Sequence, residues 1–155
     1  GALVKLGITQ ARLGMLDEAD ASYRRALEID PFDLHAHTNL GNLQFRRGDF
    51  EDAVKEYTIA TTIDSTVGVT WFNLGLAYEK MEQPNPAITA YNKATVTDPA
   101  DPRPWVQLGK IYYDRGLYRG ARERWTEAVK RDPSRTDLIE SIRVLQDYAD
   151  STDTP

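Results

Sequence analysis

Apolar residues recur at helical spacing in paired stretches of the chain, most clearly between residues 68 and 97. In the first stretch, about 68 to 81, they follow i, i+3, i+7 spacing: Trp71, Leu74 and Tyr78. In the second stretch, about 84 to 97, they follow i, i+4, i+7 spacing: Ala87, Tyr91 and Ala94. Each set lies on one face of a helix, so the pattern predicts two amphipathic helices joined by a short turn.

The same pattern returns every 34 residues, in four copies without insertion. Four glycines keep this spacing: Gly7, Gly41, Gly75 and Gly109. Four alanines keep it as well: Ala19, Ala53, Ala87 and Ala121. A constant period of this length predicts a repeat protein, in which each helix pair buries its apolar face against the next pair.

The repeat resembles the tetratricopeptide repeat (TPR) family, whose pattern is W-x2-L-G-x2-Y, then A-x3-F, then Pro. The fourth copy carries the matching residues in order: Trp105, Leu108, Gly109, Tyr112, Ala121, Trp125 and Pro133. The resemblance covers residues 2 to about 135, and the departures are local: Gln10 and Gln44 for Tyr, His37 for Trp, and Ser65 for Pro. It implies an all-α fold, a right-handed α-solenoid of antiparallel helix pairs.

This resemblance divides the chain into one domain, residues 1–149, and a disordered tail, 150–155. The repeats are expected at about 1–33, 34–67, 68–101 and 102–135, with a capping helix at about 135–149. That helix has an apolar stripe facing the fourth repeat and an otherwise polar surface: Leu138, Ile142, Leu145 and Tyr148/Ala149 form the stripe. The first helix of each repeat is called helix A and the second helix B.

Glycine and proline predict the turns within the repeats. Gly14, Gly48 and Gly116 follow three A helices and are expected at left-handed C-cap positions. In the third copy, Pro84 and Pro86 are expected in the first turn of helix B, where proline is tolerated. The small residues Gly75 and Ala87 are expected to let two helix backbones approach closely, with Trp71 and Tyr91 filling the space around that contact.

Composition excludes several classes of function. The 155 residues include no cysteine, so disulfides and thiolate metal sites are excluded and the compartment stays open, with the cytoplasm as the working prediction. No window is apolar enough for a membrane span. The two histidines, His35 and His37, lie two apart on a helix and cannot converge on one metal. No phosphate loop or nucleophile elbow is present. We therefore predict no enzyme, cofactor, metal or catalytic residue.

Charge is uneven along the chain. The net charge is −5, yet residues 103–135 carry nine basic and four acidic residues. This basic repeat either attracts an acidic partner or is a solvated face balanced by the acidic C-terminal end. Basic residues without interleaved aromatic residues, in a chain with pI near 5.0, argue against nucleic acid.

The TPR resemblance implies a concave groove lined by A helices. Carried over by position, the predicted groove residues are Ile8, Arg12, Asn42, Phe45, Arg46, Val69, Phe72, Asn73, Leu76, Lys80, Arg103, Val106, Lys110 and Tyr113. The apolar members are expected to be exposed, because other residues already supply the core, although some of them are alternatively tucked against neighbouring A helices. A carboxylate clamp of the kind that grips chaperone tails is poorly supported, since Thr38 and Gln107 stand where two of its cations belong.

The predicted function is protein–protein interaction, as a scaffold or adaptor that binds a peptide or helix of a partner in this groove. The partner is expected to offer an apolar segment with acidic character. One alternative is self-association through the first helix, which is rich in apolar residues and is expected to be covered by an upstream repeat or another segment. Another is a substrate-recruiting arm of a larger enzyme, because Asn39 and Asn73 resemble half of an asparagine ladder.

Overall fold

The computed structural model describes residues 1–147, and within them the chain is helical with no strand. Up to residue 147, nine α-helices follow one another: α1 (Ala2–Arg12), α2 (Leu16–Ile29), α3 (Leu34–Arg47), α4 (Phe50–Ile63), α5 (Gly68–Lys80), α6 (Pro84–Thr97), α7 (Arg103–Asp114), α8 (Tyr118–Arg131) and α9 (Thr136–Val144). The odd-numbered helices from α1 to α7 are the A helices, and α2, α4, α6 and α8 are the B helices. The prediction of an all-α solenoid of antiparallel helix pairs is confirmed.

The predicted left-handed glycines are confirmed at the ends of three A helices. Gly14, Gly48 and Gly116 have φ angles of 80°, 87° and 74°, the left-handed region that glycine adopts without steric cost. In the third repeat, Glu82 occupies the equivalent position with φ of 57°. Helix α6 then starts with Pro84 in its first turn, as predicted.

Each repeat glycine accommodates an aromatic ring of helix B. A Cβ added to Gly41 would lie 2.8 Å from Cε1 of Tyr57, and one added to Gly75 would collide with the ring of Tyr91. At Gly75 this ring is that of Tyr91, as expected from the sequence. The missing side chain lets the B-helix ring lie directly against helix A, which explains the constant 16-residue separation from each repeat glycine to its aromatic partner.

The core runs along the whole array between the helices. Three B-helix tyrosines are almost completely buried, namely Tyr23, Tyr57 and Tyr91. Alanines one turn on either side of each tyrosine have exposures of 7% or less: Ala19, Ala26, Ala53, Ala60, Ala87 and Ala94. The small residues let neighbouring helices approach, and the rings fill the volume between them.

Helix α9 packs on α8 through the predicted apolar stripe. Leu138 and Leu145 are 5% and 4% exposed, while Ile139 and Val144 on other faces are exposed. The helix ends at Val144, earlier than expected, and continues as a 3₁₀ turn over Leu145–Asp147. The expected continuation to residue 149 and the expected tail, 150–155, lie outside the described residues.

Burial of the B-helix tyrosines predicts a loss of stability at alkaline pH. Burial raises the pKa of Tyr57 and Tyr91 well above the ordinary value, and the Glu79 carboxylate raises that of Tyr91 further. Above about pH 10, the unfolded state loses phenolic protons that the folded state retains, so the free energy of unfolding should fall. Urea denaturation from about pH 9 to about pH 11 should show a shallower decline for Tyr57→Phe/Tyr91→Phe than for the wild type. Equal slopes would contradict this origin.

Candidate peptide-binding groove

Two adjoining pockets lie along the A-helix surface in the N-terminal half of the array. The first has a volume of about 260 Å³ and is lined by Ile8, Ala11, Arg12, Tyr23, Asn39, Asn42, Leu43 and Arg46. The second has a volume of about 210 Å³ and is lined by Asn42, Phe45, Arg46, Tyr57, Asn73 and Leu76. Asn42 and Arg46 border both pockets, so the two form one continuous groove across α1, α3 and α5. We call this surface the N-terminal groove.

The amide of Asn42 is oriented by two hydrogen bonds. Its Oδ1 accepts from the Tyr57 hydroxyl at 2.7 Å and from Asn73 Nδ2 at 3.0 Å. Both hydrogen bonds are accepted by the side-chain oxygen, so the NH2 group of Asn42 is free to donate to a ligand. Asn73 has in turn used a donor and keeps its own carbonyl oxygen. The groove therefore holds one amide donor and one amide acceptor side by side, each without a partner among the described residues.

Cationic side chains lie along one side of the N-terminal groove. Arg46 Nη1 donates to the carbonyl of Ala11 at 3.2 Å, and no carboxylate of the described residues pairs with Arg46 or with Arg12. The neighbouring Arg47 differs, because its guanidinium lies 2.5 Å from Asp17 Oδ1. Arg12 and Arg46 thus leave positive charge available at the groove, where an acidic ligand group would be favoured.

Seven of the predicted groove residues line these pockets: Ile8, Arg12, Asn42, Phe45, Arg46, Asn73 and Leu76. The other seven line neither pocket: Val69, Phe72, Lys80, Arg103, Val106, Lys110 and Tyr113. Val69 and Tyr113 are exposed at 42% and 46%, as expected for surface positions on A helices. Val106 is half-buried, and Lys80 and Lys110 are exposed.

Phe72 is the clearest departure from the expected lining. It is only 6% exposed, so the prediction that it is surplus to the core is wrong. Its ring packs on Tyr91 with centroids 5.8 Å apart, and the Arg103 guanidinium covers it at 4.7 Å. Val4, on the first A helix, is buried as well, at 4%. Both side chains stabilise the fold and offer little surface to a ligand.

Arg103 is occupied within its own turn. Its guanidinium makes paired contacts to Asp101, with Nη2 at 2.7 Å from Oδ2 and Nε at 3.0 Å from Oδ1. Arg103 is therefore already paired within the domain, which weakens the case for a carboxylate clamp further. The asparagine ladder is also interrupted, because Asn39 Nδ2 donates to the carbonyl of His35 at 2.7 Å.

Sequence reasoning missed the floor of the N-terminal groove, which the B helices supply. Tyr23 and Tyr57 reach it from α2 and α4 because Gly7 and Gly41 leave room for their rings to lie against α1 and α3. The 16-residue separation between each glycine and its tyrosine was the signal that could have identified them.

Family comparison agrees with this architecture. A sequence profile described as Tetratricopeptide repeat matches residues 4–66 and 106–150, and a second profile with the same description matches residues 69–101. The chain belongs to the tetratricopeptide repeat family. In this TPR domain the departures at Gln10, Gln44, His37 and Ser65 leave the helix pairing intact.

Solved structures share the TPR fold over most of the chain. MamA superposes with a TM-score of 0.86 at 22% identity, covering 93% of this chain and 79% of that one. YrrB, described as a TPR protein with an unusual peptide-binding site, gives 0.80 at 22% identity, with coverages of 92% and 74%. MamA 41-end from Desulfovibrio magneticus RS-1 gives 0.78 at 23% identity, with coverages of 86% and 75%. The search of curated proteins found no match.

The length and apolar character of the helices were compared with what a membrane span requires. Over residues 1–147, none combines the length and the apolar character that crossing a bilayer requires.

Proposed function

We propose that this TPR domain is a protein-interaction module that binds an extended peptide of a partner protein in the N-terminal groove. The observation that supports this most directly is the Asn42–Asn73 pair, which leaves one amide donor and one amide acceptor open between two pockets. A peptide backbone in extended form presents the complementary carbonyl and N–H groups. The proposed role is binding, as a scaffold or adaptor, without catalysis.

The same pair favours an extended peptide over a helix as ligand. A helix forms its backbone hydrogen bonds internally, so it would offer no free backbone group to the amides of Asn42 and Asn73. The pocket beside Phe45 and Leu76 takes an apolar side chain of that peptide, and its volume of about 210 Å³ suits a leucine or phenylalanine. Arg12 and Arg46 then favour an acidic residue towards the α1 end. The proposed partner motif is therefore apolar with an acidic neighbour.

A peptide library displayed on phage provides the test, since it presents ligands without prior choice. We expect selected peptides to carry an apolar residue next to Asp or Glu. Leu76→Ala should weaken their binding at least tenfold, which corresponds to about 1.4 kcal/mol. Arg12→Glu should weaken only the acidic peptides, and this effect should shrink as salt is added. Fluorescence anisotropy of labelled peptides measures both.

Val96→Ala is the matched control, because Val96 is an aliphatic residue on helix B and is 76% exposed. It should leave the affinity unchanged. If the selected peptides bind Leu76→Ala as tightly as the wild type, or if Val96→Ala weakens them equally, the N-terminal groove is not their site.

Of the two alternative functions, the recruiting arm is not favoured by any contact within residues 1–147, since Asn39 and Asn73 both use their amide donors within the domain. Self-association requires a surface on a second copy that fits the exposed side of α1.

A further inference from the structure

His37 is a buried histidine at the junction of the first two repeats. It is 7% exposed, whereas His35, two residues earlier on α3, is exposed. The Nδ1 atom of His37 lies 2.7 Å from Oε2 of Glu56 on α4. Its Nε2 atom lies 3.0 Å from the backbone carbonyl oxygen of Pro31, in the turn between α2 and α3. The ring therefore joins α3 to α4 and to the turn that leads out of the first repeat.

Both oxygens that face the His37 ring are hydrogen-bond acceptors. A backbone carbonyl cannot donate, and an ionised carboxylate has no proton to donate. A neutral imidazole carries a proton on one nitrogen only, so its other nitrogen would face one of these oxygens with a lone pair at hydrogen-bonding distance. The two hydrogen bonds are complete when both ring nitrogens carry a proton and the charged imidazolium pairs with Glu56.

The third repeat makes the same contact to a backbone carbonyl without a titratable group. There Trp71 occupies the position of His37, and its Nε1 donates to the carbonyl oxygen of Ser65, six residues earlier, at 2.9 Å. The counterpart of Glu56 is Ala90, which packs in one cluster with Trp71. An indole N–H donates without gaining or losing a proton. The second repeat thus has a proton-dependent contact where the third has a proton-independent one.

The other charged groups around this pair have partners of their own. Arg24 of α2 and Lys55 of α4 interact electrostatically with Glu56. Their direct partners are other carboxylates, Asp20 at 2.6 Å and Asp52 at 2.7 Å respectively. Two carboxylates of the turn before α3 accept backbone N–H groups: Asp30 and Asp33. Among the described residues, Glu56 is therefore the only carboxylate that pairs with the His37 ring.

We propose that His37 and Glu56 form a pH-sensitive contact between the first two repeats, which is complete when the imidazole is charged and loses a hydrogen bond when it becomes neutral. A histidine in an unfolded chain releases its proton near about pH 6.5. Well below that pH both states carry the proton, and the contact contributes its full stabilisation. Above it the folded site holds a proton that the unfolded chain has released, so the free energy of unfolding falls as the pH rises.

The protonation state can be measured directly, because the chain has only two histidines. Long-range ¹H–¹⁵N NMR spectra of the intact chain should be recorded at a pH at which the exposed His35 has lost its charge. We expect two protonated ring nitrogens for His37 and one for His35, and His35→Asn assigns the two sets of signals. A folded protein in which His37 carries only one ring proton under these conditions would overturn the proposal without the need for any variant at the site.

Urea denaturation measures the consequence for stability. From about pH 5.5 to about pH 8, the equilibrium constant for unfolding of the wild type should rise about tenfold. His37→Trp/Glu56→Ala, which introduces the residue pair of the third repeat, should be nearly independent of pH in this range, whereas His35→Asn should keep the wild-type dependence. If the double variant does not fold by circular dichroism, Glu56→Gln replaces it, because its amide can donate to a neutral ring nitrogen and should also flatten the dependence. The proposal is overturned if the wild type depends on pH no more than these variants, or if His35→Asn removes the dependence.

Discussion

Replacing Tyr91 by alanine is expected to lower the free energy of unfolding by about 3–5 kcal/mol, the range found for large aromatic side chains in cores. Tyr91 is 0% exposed, and its ring occupies the space opposite Gly75. It also contacts Phe72, with ring centroids 5.8 Å apart. Removing the ring leaves a cavity between the third and fourth repeats that helix backbones cannot fill without separating from their neighbours. Urea denaturation followed by circular dichroism measures the change.

Two further variants show how much of this effect comes from the hydroxyl group of Tyr91 and how much depends on the burial of its ring. Tyr91→Phe keeps the ring and removes only the hydrogen bond to Glu79, so it should cost about 1 kcal/mol. Tyr113→Ala removes the same atoms from a side chain that is 46% exposed, and it should cost clearly less than Tyr91→Ala. If Tyr91→Ala were no more destabilising than Tyr113→Ala, packing against Gly75 would not hold these repeats together.

The repeat frame could be predicted from the sequence because it is encoded locally and repeated four times. Gly48 illustrates this, since a glycine after an apolar stripe specifies a left-handed helix end without reference to distant residues. Leu138 and Leu145 illustrate it for the final helix, where apolar spacing alone identified the face that packs on α8. In both cases the structural outcome depends on residues within a few turns.

The lining of the groove depends on contacts between repeats, which the pattern does not encode. Phe72 and Leu76 are four residues apart on one side of α5, yet Phe72 is buried and Leu76 borders a pocket. The difference arises because Phe72 packs in a core cluster with Tyr91 of α6 and Leu108 of α7, and the Arg103 guanidinium lies over its ring. Arg103 was itself expected to be free for a ligand, and Asp101, two residues earlier, pairs with it instead. That local Asp-x-Arg spacing was a signal that could have been used.

The second large expected effect on stability is the truncation of Leu40, which is compared with truncation of the equivalent leucine in the first repeat, Leu6. Leu40→Ala should lower the free energy of unfolding by about 2–5 kcal/mol, because Leu40 is 1% exposed between α2 and the rest of α3. Leu6→Ala removes the same atoms from the equivalent position of α1, where 48% of the side chain is exposed. It should cost less than about 1 kcal/mol, since little new cavity forms and much of the leucine already contacts water. Urea denaturation of both variants measures the difference.

A terminal helix that frays would reduce the cost of any substitution in α1, so Val4→Ala is needed to separate fraying from exposure. Val4 lies in the same helix and is 4% exposed, and its truncation removes two methyl groups, about 1.6 kcal/mol at the usual cost per buried carbon. If exposure is the cause, Val4→Ala destabilises more than Leu6→Ala although it removes fewer atoms. If both are neutral, fraying is the cause and α1 contributes little to folding. A costly Val4→Ala beside a mild Leu6→Ala means that α1 is held in place by the side of the helix that carries Val4, and that exposure accounts for the small cost at Leu6.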